Sequence, residues 1–422
     1  MTSRRWPRPR TNNRLAVGAE PRGGTGGAPA LPDSGDRQTR WAVGGYIAAL
    51  IFLQKLAIGF GDKQVSVLVP ATYLLLGLLV WRRQLMASPS RLLLFAAFVV
   101  TAAASQALVP RPISLPSFLA LPILYFPLAF SLDLDAEGWR DLLDLFQRLM
   151  LVIAGVVSFQ FLTLWAFHWQ PNLEAVLPQE LLLRGYAYDI VRWGAGRVRP
   201  NGLFFLEPSF ASIFLAAASI IELLLFRRLL LLLAFAAGLA ASQGGSGLVM
   251  LVVALPLLLG RAGPRAALPL VLIGLLLAGV IAAFGAGAPF LARIAEFSLP
   301  ESSGYLRVIE PFLQLGDAFN RAGAPWDAVG AGNAPIGDAN AWPITKLAYE
   351  YGFLVALLLP ALVAVACVSG PLLPLLLALQ VIYDVTGGYL HSPVLVPLMF
   401  VLGALLRPPQ ADGPVFGARR HA

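Results

Sequence analysis

Charged residues, cysteine and histidine are scarce in this chain. Only 13% of its 422 residues are charged, and it has one cysteine, Cys367, and three histidines. A lone cysteine excludes a disulfide framework and a Cys-based metal site, and the histidines lack metal-ligand spacing. The residues therefore predict no metal site.

Apolar residues are correspondingly abundant in this chain. They make up 58% of the chain, its mean hydropathy is +0.73, and apolar runs of transmembrane length recur from residue 41 onward. Because a membrane-spanning helix needs about 20 apolar residues, we expect an all-α polytopic membrane protein with about twelve transmembrane helices. The expected spans are 41–60, 64–81, 92–109, 113–131, 149–167, 203–225, 229–242, 246–260, 266–287, 346–368, 371–387 and 392–406.

The distribution of arginine predicts the orientation of these spans. Cytoplasmic loops hold the Lys and Arg excess of a membrane protein, and alternate connections in this chain are rich in arginine, so both termini should be cytoplasmic. We expect a disordered basic tail over 1–40, a single transmembrane domain over 41–407 and a second tail over 408–422. The net charge of +8 suits anionic lipid heads and does not indicate nucleic-acid binding.

Three connections between the expected spans are long. Residues 133–148 alternate acidic with apolar residues at helical spacing, which predicts an amphipathic helix on the inner membrane surface. Segments 168–202 and 288–345 fall on the outer side. Because long loops in a compact domain are usually functional or disordered, we look for a site at this outer face.

The first outer loop is rich in arginine, which is unexpected on that side of a membrane. The residues are Arg184, Arg192, Arg197 and Arg199. An anionic ligand would explain them, and a lipid-linked diphosphate is the most economical one. Guanidinium groups bind phosphate oxygens bidentately, so we predict that Arg197 and Arg199 hold the diphosphate. The alternative is that they pair with Glu180 and Asp189 of the same loop.

The run 199–209 leads from this loop into the next span and places Glu207 in an apolar stretch. A carboxylate at that depth is costly, so it should face a water-filled cavity or an arginine. Glu207 is a candidate catalytic residue, and the alternative is a salt bridge that only braces the loop. The tight turn 241–247 contains glycines whose N–H groups can meet an anion or a sugar, unless it only reverses the chain.

The second outer loop and the last span contain further candidates. Arg307 is a third candidate ligand of the diphosphate. Asp338 can act as a general base toward a sugar hydroxyl, and Asn333 and Asn340 can bind hydroxyls, provided that the loop folds over the arginines. Otherwise these residues form a polar surface. His391 lies at the outer mouth of a span, where it is either a base or a packing residue.

Five segments together carry a family resemblance: 199–209, 241–247, the region around Arg307, 330–333 and 349–354. They resemble the O-antigen ligase and polymerase superfamily, above all its exopolysaccharide and O-antigen polymerases. The resemblance implies a GT-C-like bundle in the bacterial inner membrane. It further implies that the protein joins glycans carried on undecaprenyl diphosphate at the periplasmic face, without a metal, a nucleotide sugar or another cofactor. In that pattern Arg199, Glu207 and Arg307 match motif residues.

Two positions depart from the family pattern. The turn that often reads Thr-x-Ser-Arg is 242–246 here and has no arginine, and a ligase histidine is replaced by Ala339 before Asn340. The loss of that histidine favours a polymerase over a ligase that moves glycan to a lipid or protein acceptor. The general base stays open among Glu207, Asp338 and His391. A chain-length regulator protein is a candidate partner.

The expected reaction is an inverting transfer, in which a hydroxyl of one lipid-linked glycan displaces undecaprenyl diphosphate from another. The alternative from a different class is a transporter or flippase for lipid-linked saccharides. It should carry ionisable groups near the membrane midplane and often shows internal repeats, and the sequence shows neither. A non-catalytic scaffold would leave the arginines unexplained.

Overall fold

The computed structural model describes most of the chain between residues 34 and 407. The described residues are 34–60, 63–108, 115–132, 134–169, 171–184, 192–193, 197–262, 342–367, 370–386 and 388–407, with short pieces between 274 and 316. This part of the chain is mostly helical, as the composition predicts. The tail residues 1–33 and 408–422 and most of the expected span 266–287 lie outside it.

The regular elements are short helices joined by tight connections. The α-helices are α1 (Ser34–Phe52), α2 (Leu68–Trp81), α3 (Pro89–Leu108), α4 (Leu115–Tyr125), α5 (Ala136–Phe167), α6 (Pro208–Ile221), α7 (Leu229–Ser242), α8 (Gly245–Ala262), α9 (Pro343–Tyr351), α10 (Phe353–Cys367), α11 (Leu373–Val385) and α12 (Leu395–Met399). The π-helical segments are Glu222–Phe226, Tyr305–Ile309 and Phe400–Leu405, and the 3₁₀ turns are Phe126–Ala129, Leu173–Ala175 and Gln179–Leu181.

Three two-stranded antiparallel ribbons connect helices in the described residues. Their strands are β1 (Ala57–Phe60) with β2 (Lys63–Ser66), β3 (Leu85–Ala87) with β4 (Phe130–Leu132), and β5 (Arg192–Trp193) with β6 (Arg197–Val198). The last ribbon shows that the first outer loop contains regular structure.

Three of the described helices are long and apolar enough to cross a membrane. They are Pro89–Leu108, Ala136–Phe167 and Pro208–Phe226. Seven further apolar helices are 10–17 residues long, which is shorter than an ordinary span. The expectation of about twelve full-length spans is therefore not met within the described residues, because turns and ribbons occupy the ends of several of the expected segments.

Several predicted boundaries are wrong for identifiable local reasons. The first span begins earlier, so that residues 34–40 of the expected tail are helical, and it ends at Phe52, before ribbon β1–β2. The span expected over 203–225 begins only at Pro208, because Gly202 and Leu203 have positive φ angles that end helical geometry. The span expected over 346–368 is broken at Gly352, whose φ of 90° stops α9 before α10 begins.

Helix α5 is the largest departure from the expected organisation. The predicted surface helix 133–148 and the predicted span 149–167 form one continuous helix of 32 residues. Asp135 caps its start by accepting a hydrogen bond from the Gly138 N–H, and His168 ends it in a left-handed conformation. The sequence between these caps contains no proline, so nothing interrupts the helix at the expected membrane surface.

Contacts between connections divide the helix ends into two sets. One set includes the start of α5 and joins Thr39 to Gln84, Arg40 to Asp135, Arg91 to Phe130, Trp139 to Leu406, Arg261 to Gly370 and Arg407 to Val365. The other set, which we name the motif end, joins Leu56 to Leu182, Gln64 to Arg184, Gln106 to Glu350, Gln160 to Gly202, Phe210 to Tyr389 and Ser212 to Gly247. From α1 to α8, and again from α10 to α12, successive helices therefore run in alternate directions.

Each end also contains an ion pair that reaches into the protein. At the end opposite the motif end, the fully buried Glu222 binds the guanidinium of Arg228, which also binds Asp144 of α5. At the motif end, Lys55 pairs with Glu174 of the first outer loop, and both side chains are buried. Burial lowers the pKa of Lys55, while the hydrogen bond and the charge of Glu174 raise it. This pair ties the loop to the end of α1.

We expect Lys55→Met to lower the free energy of unfolding by about 3 to 5 kcal/mol, because it leaves the Glu174 carboxylate buried without its cation. Replacing both partners, as in Lys55→Met with Glu174→Leu, should restore most of that loss. Unfolding in mixed micelles, followed by tryptophan fluorescence, measures both values.

The matched control is Arg148→Ala, which removes an ion pair whose arginine is 75% exposed. We expect it to cost less than about 1 kcal/mol. Equal losses for Lys55→Met and Arg148→Ala would contradict a stabilising role for the buried pair.

Candidate functional site

The loop that precedes α6 has a specific backbone conformation. Gly202 and Leu203 have φ angles of 70° and 65°, and the Asn201 side chain accepts a hydrogen bond from the Leu203 N–H. A Cβ added to Gly202 would lie 3.0 Å from a methyl group of Val157 and would be strained at that φ. Asn201 and Gly202 of the run 199–209 therefore bring this loop against α5.

Gln160 of α5 fixes this loop in place. Its side-chain oxygen accepts a hydrogen bond from the Gly202 N–H at 2.7 Å, and its amide donates to the Pro171 carbonyl at 2.9 Å. The side chain is fully buried. Sequence reasoning missed Gln160, although a lone amide in an apolar helix is a signal for such a role, because a buried amide needs partners.

Glu207 and Ser209 lie at the start of α6. The backbone of Glu207 is extended at the N-cap position, Pro208 is the first helical residue, and the Ser209 hydroxyl donates to the Glu207 carboxylate at 3.0 Å. The Glu207 side chain is only partly buried. The structure thus places Glu207 just before the helix, whereas the sequence predicted it within the first turns of the span 203–225.

The glycine turn predicted from the sequence packs directly against this helix start. The Gly247 N–H donates to the Ser212 hydroxyl at 3.0 Å. A Cβ on Gly247 would lie 2.2 Å from the Ser212 carbonyl oxygen, and one on Gly244 would lie 2.5 Å from the Ser212 side chain. The glycines are therefore needed for close packing, and they bring the N-termini of α6 and α8 together.

The turn that contains His391 lies at the same end. Tyr389 packs against Phe210 of α6, with ring centroids 5.7 Å apart. The buried Tyr125 hydroxyl donates to the Leu390 carbonyl at 2.7 Å, and Ser392 accepts from the N–H groups that follow it. His391 is partly buried within this turn. The structure therefore brings together the segments of Glu207, the glycine turn and His391.

The arginines predicted to bind phosphate are described to different extents. Arg199 is partly buried and lies beside Pro200, at the start of the loop 199–207, which we name the motif loop. Arg197 lies in strand β6, opposite Trp193, and Arg307 lies in the π-helical segment Tyr305–Ile309, but the side chains of both are outside the described part. Asn333, Asp338 and Asn340 lie wholly outside the described residues.

The remainder of the first outer loop is anchored to ribbon β1–β2. The Gln64 side chain accepts a hydrogen bond from the Arg184 N–H at 2.7 Å and donates to the Glu180 carbonyl. Leu56 pairs with Leu182 in a β-bridge. Together with the pair between Lys55 and Glu174, these contacts hold the start of the loop in place before it enters the arginine-rich segment.

The assembled site is suited to an anion. Two helices begin side by side here, and the N-terminus of a helix carries a partial positive charge and free N–H groups. Arg199 adds a full charge in the loop that leads into α6. Among the described residues, no three His, Cys, Asp or Glu side chains group closely enough to hold a metal.

No family model, curated protein or solved structure matches this chain. The geometry described above is therefore the basis for a functional proposal.

We expect Gly247→Ala to destabilise the protein by about 1 to 3 kcal/mol, because its methyl group would overlap the Ser212 carbonyl oxygen. The matched control is Gly245→Ala in the same helix turn, where nothing lies within 4 Å of the added Cβ. Thermal unfolding in detergent compares the two variants. A similar melting temperature for both would contradict the close packing of α6 and α8.

We expect Gln160→Leu to release the motif loop, because it leaves the Gly202 N–H and the Pro171 carbonyl without their partner at a cost of about 1 to 3 kcal/mol for each group. Amide hydrogen exchange of peptides covering 199–207 should accelerate at least about tenfold, in keeping with that cost. The control Gln179→Leu, at an exposed position, should leave this exchange unchanged. Unaltered exchange in Gln160→Leu would show that other contacts hold the loop.

Proposed function

We propose that the protein is a polysaccharide polymerase that joins oligosaccharide repeat units carried on undecaprenyl diphosphate. The observation that carries this proposal is the hydrogen bond between the Gly247 N–H and the Ser212 hydroxyl. It joins the segment of Arg199 and Glu207 to the glycine turn, two motifs separated by about 40 residues. Their meeting at one end of the bundle is what a shared substrate site requires.

The chemistry that this end supports is departure of a diphosphate. A glycosyl diphosphate leaves with negative charge that grows in the transition state, and fixed positive groups that meet this charge accelerate the reaction. The N-termini of α6 and α8 and the Arg199 guanidinium are groups of this kind. Arg197 and Arg307 would contribute further charge from the outer loops. Undecaprenyl diphosphate is thus the proposed leaving group, and no metal is needed to neutralise it.

The full proposal includes the orientation of the protein in a membrane. The arginine-rich alternate connections of the sequence favour about twelve crossings, with both termini in the cytoplasm of a bacterial cell. The short helices would complete their crossings with the turns and ribbons that flank them, which protein rather than lipid surrounds. The motif end would then face the periplasm.

The positions of charged residues favour an enzyme over a transporter. Arg91 of α3, Arg261 of α8 and Asp384 of α11 lie within a few residues of a helix end. A transporter binds its substrate near the membrane midplane, where it needs polar groups. The middle turns of α2, α4, α6, α7 and α10 contain no charged residue.

The test is a reconstituted polymerisation assay. Purified protein in liposomes receives lipid-linked repeat units extracted from the host cells, and the products are separated on a gel. We expect the wild type to form a ladder of lengthening glycans. Arg199→Ala should reduce its formation about 100-fold or more, because the leaving diphosphate loses a preorganised positive group. Arg199→Lys should retain part of the activity, because lysine keeps the charge but not the bidentate geometry.

The matched control is Arg140→Ala, at an exposed position of α5 near the opposite end. It removes the same charge far from the proposed site and should leave the ladder intact. Movement of the lipid-linked glycan across the bilayer by the wild type, with no ladder, would replace the polymerase proposal with a transporter.

A further inference from the structure

A second polar group lies near the C-terminal end of helix α11, which leads into the turn of His391. Gln380 and Asp384 are four residues apart, so they lie on the same face of this helix. The Gln380 amide nitrogen donates a hydrogen bond to the Asp384 Oδ2 atom at 2.5 Å. Neither residue was singled out by its sequence pattern, because both lie in an apolar run that reads as a membrane span.

This pair leaves two buried acceptors without a donor. In the part of the chain that the structure describes, Asp384 Oδ1 and Gln380 Oε1 are both shielded from solvent and have no hydrogen-bond partner. Gln380 as a whole is only 7% exposed. An unsatisfied buried acceptor costs about 1 to 3 kcal/mol, so a pair of them indicates a ligand that brings O–H or N–H groups.

The pair lies close in the chain to the segments of the proposed site. Tyr383, the neighbour of Asp384, is hydrogen-bonded to Tyr125, which also binds the Leu390 carbonyl. The turn beyond α11 then brings Tyr389 against Phe210, at the start of α6. The Asp384 side chain remains partly exposed. It is therefore not wholly enclosed by the described residues, although its Oδ1 atom is shielded.

We propose that Asp384, oriented by Gln380, is the general base that receives the acceptor sugar hydroxyl. The inference rests on the proposed polymerase function and deepens it. The amide of Gln380 fixes Oδ2, which leaves Oδ1 to accept the hydroxyl hydrogen, and Gln380 Oε1 can accept a second sugar hydroxyl. A neutral, hydroxyl-rich acceptor supplies the donors that both oxygens lack.

The proposed step is a single displacement at the anomeric carbon of the donor glycan. The acceptor oxygen forms a bond to the anomeric carbon of the donor glycan as its proton moves to Asp384 Oδ1. The bond between that carbon and the diphosphate oxygen breaks, and its electron pair leaves with undecaprenyl diphosphate. Asp384 then returns its proton to water. In this scheme Glu207, whose carboxylate accepts the Ser209 hydroxyl, has a structural part at the start of α6.

The test compares turnover with donor binding. Asp384→Asn keeps the size of the side chain and removes the base, so we expect ladder formation to fall about 100-fold or more. Its affinity for undecaprenyl diphosphate, measured by quenching of tryptophan fluorescence, should stay within twofold of the wild type. Arg199→Ala should lose that affinity. The control Val385→Ala changes the adjacent exposed residue and should preserve both readouts.

Each result decides the proposal. A ladder from Asp384→Asn within threefold of the wild type overturns the role of Asp384 and leaves the polymerase function standing. The absence of a ladder from the wild type overturns both. If Asp384→Asn does not fold, Gln380→Leu decides, because it keeps the carboxylate and removes the group that orients it. Turnover tenfold lower with unchanged affinity for undecaprenyl diphosphate supports the proposal, and unchanged turnover overturns it.

Discussion

The motif end depends on one close contact between two backbones, that of α6 at Ser212 and that of α8 at Gly247. Any side chain at position 247 would occupy the space of the Ser212 carbonyl oxygen. Because only glycine fits, two helices can begin next to each other, and their N–H groups and partial positive charges add at one place. The loop of Arg199 and the turn of His391 then pack around this pair of helix starts.

Polar groups at this end are held by buried hydrogen bonds and not by surface ion pairs. Gln160 binds the motif loop, Tyr125 binds the turn before α12, and Lys55 binds the first outer loop through Glu174. In an apolar protein such bonds constrain the loops strongly, because a buried polar group that loses its partner cannot form a hydrogen bond to water instead. The three contacts position loops that carry the candidate residues, while the helices supply a rigid frame.

Sequence patterns predicted the helical class and the glycine turn, but they placed Glu207 inside a span and not at the N-cap of α6. The predicted span 229–242 coincides with α7. Three signals indicate the same bounds: the apolar run itself, the arginine just before it and the serine-glycine turn after it. Helix ends elsewhere were less predictable. Positive φ at Leu203 and the break at Gly352 depend on tertiary packing, and hydropathy does not distinguish a helix from a short ribbon such as β1–β2.

Residues in apolar runs were the main omission. Hydropathy assigns Gln160, Gln380 and Asp384 to membrane spans, because a single polar residue barely changes the mean hydropathy of a window of about 19 residues. Their importance follows from their partners, which lie far away in the chain or, for the two oxygens on α11, are lacking in the described part of the structure. A search for buried amides within apolar helices would have marked two of these three positions.

The length of helix α5 indicates where the boundaries of a surrounding bilayer would lie. At about 1.5 Å per residue, its 32 residues make a rod about 48 Å long, whereas the hydrocarbon core is about 30 Å thick. About 18 Å, or roughly twelve residues, must then extend into the headgroup region if the rod stands upright. The charged stretch 137–148 has that length. The hydrocarbon boundary would therefore cross α5 near Leu149, and Gln160, eleven residues further along, would lie about 16 Å beyond it, near the middle of the core.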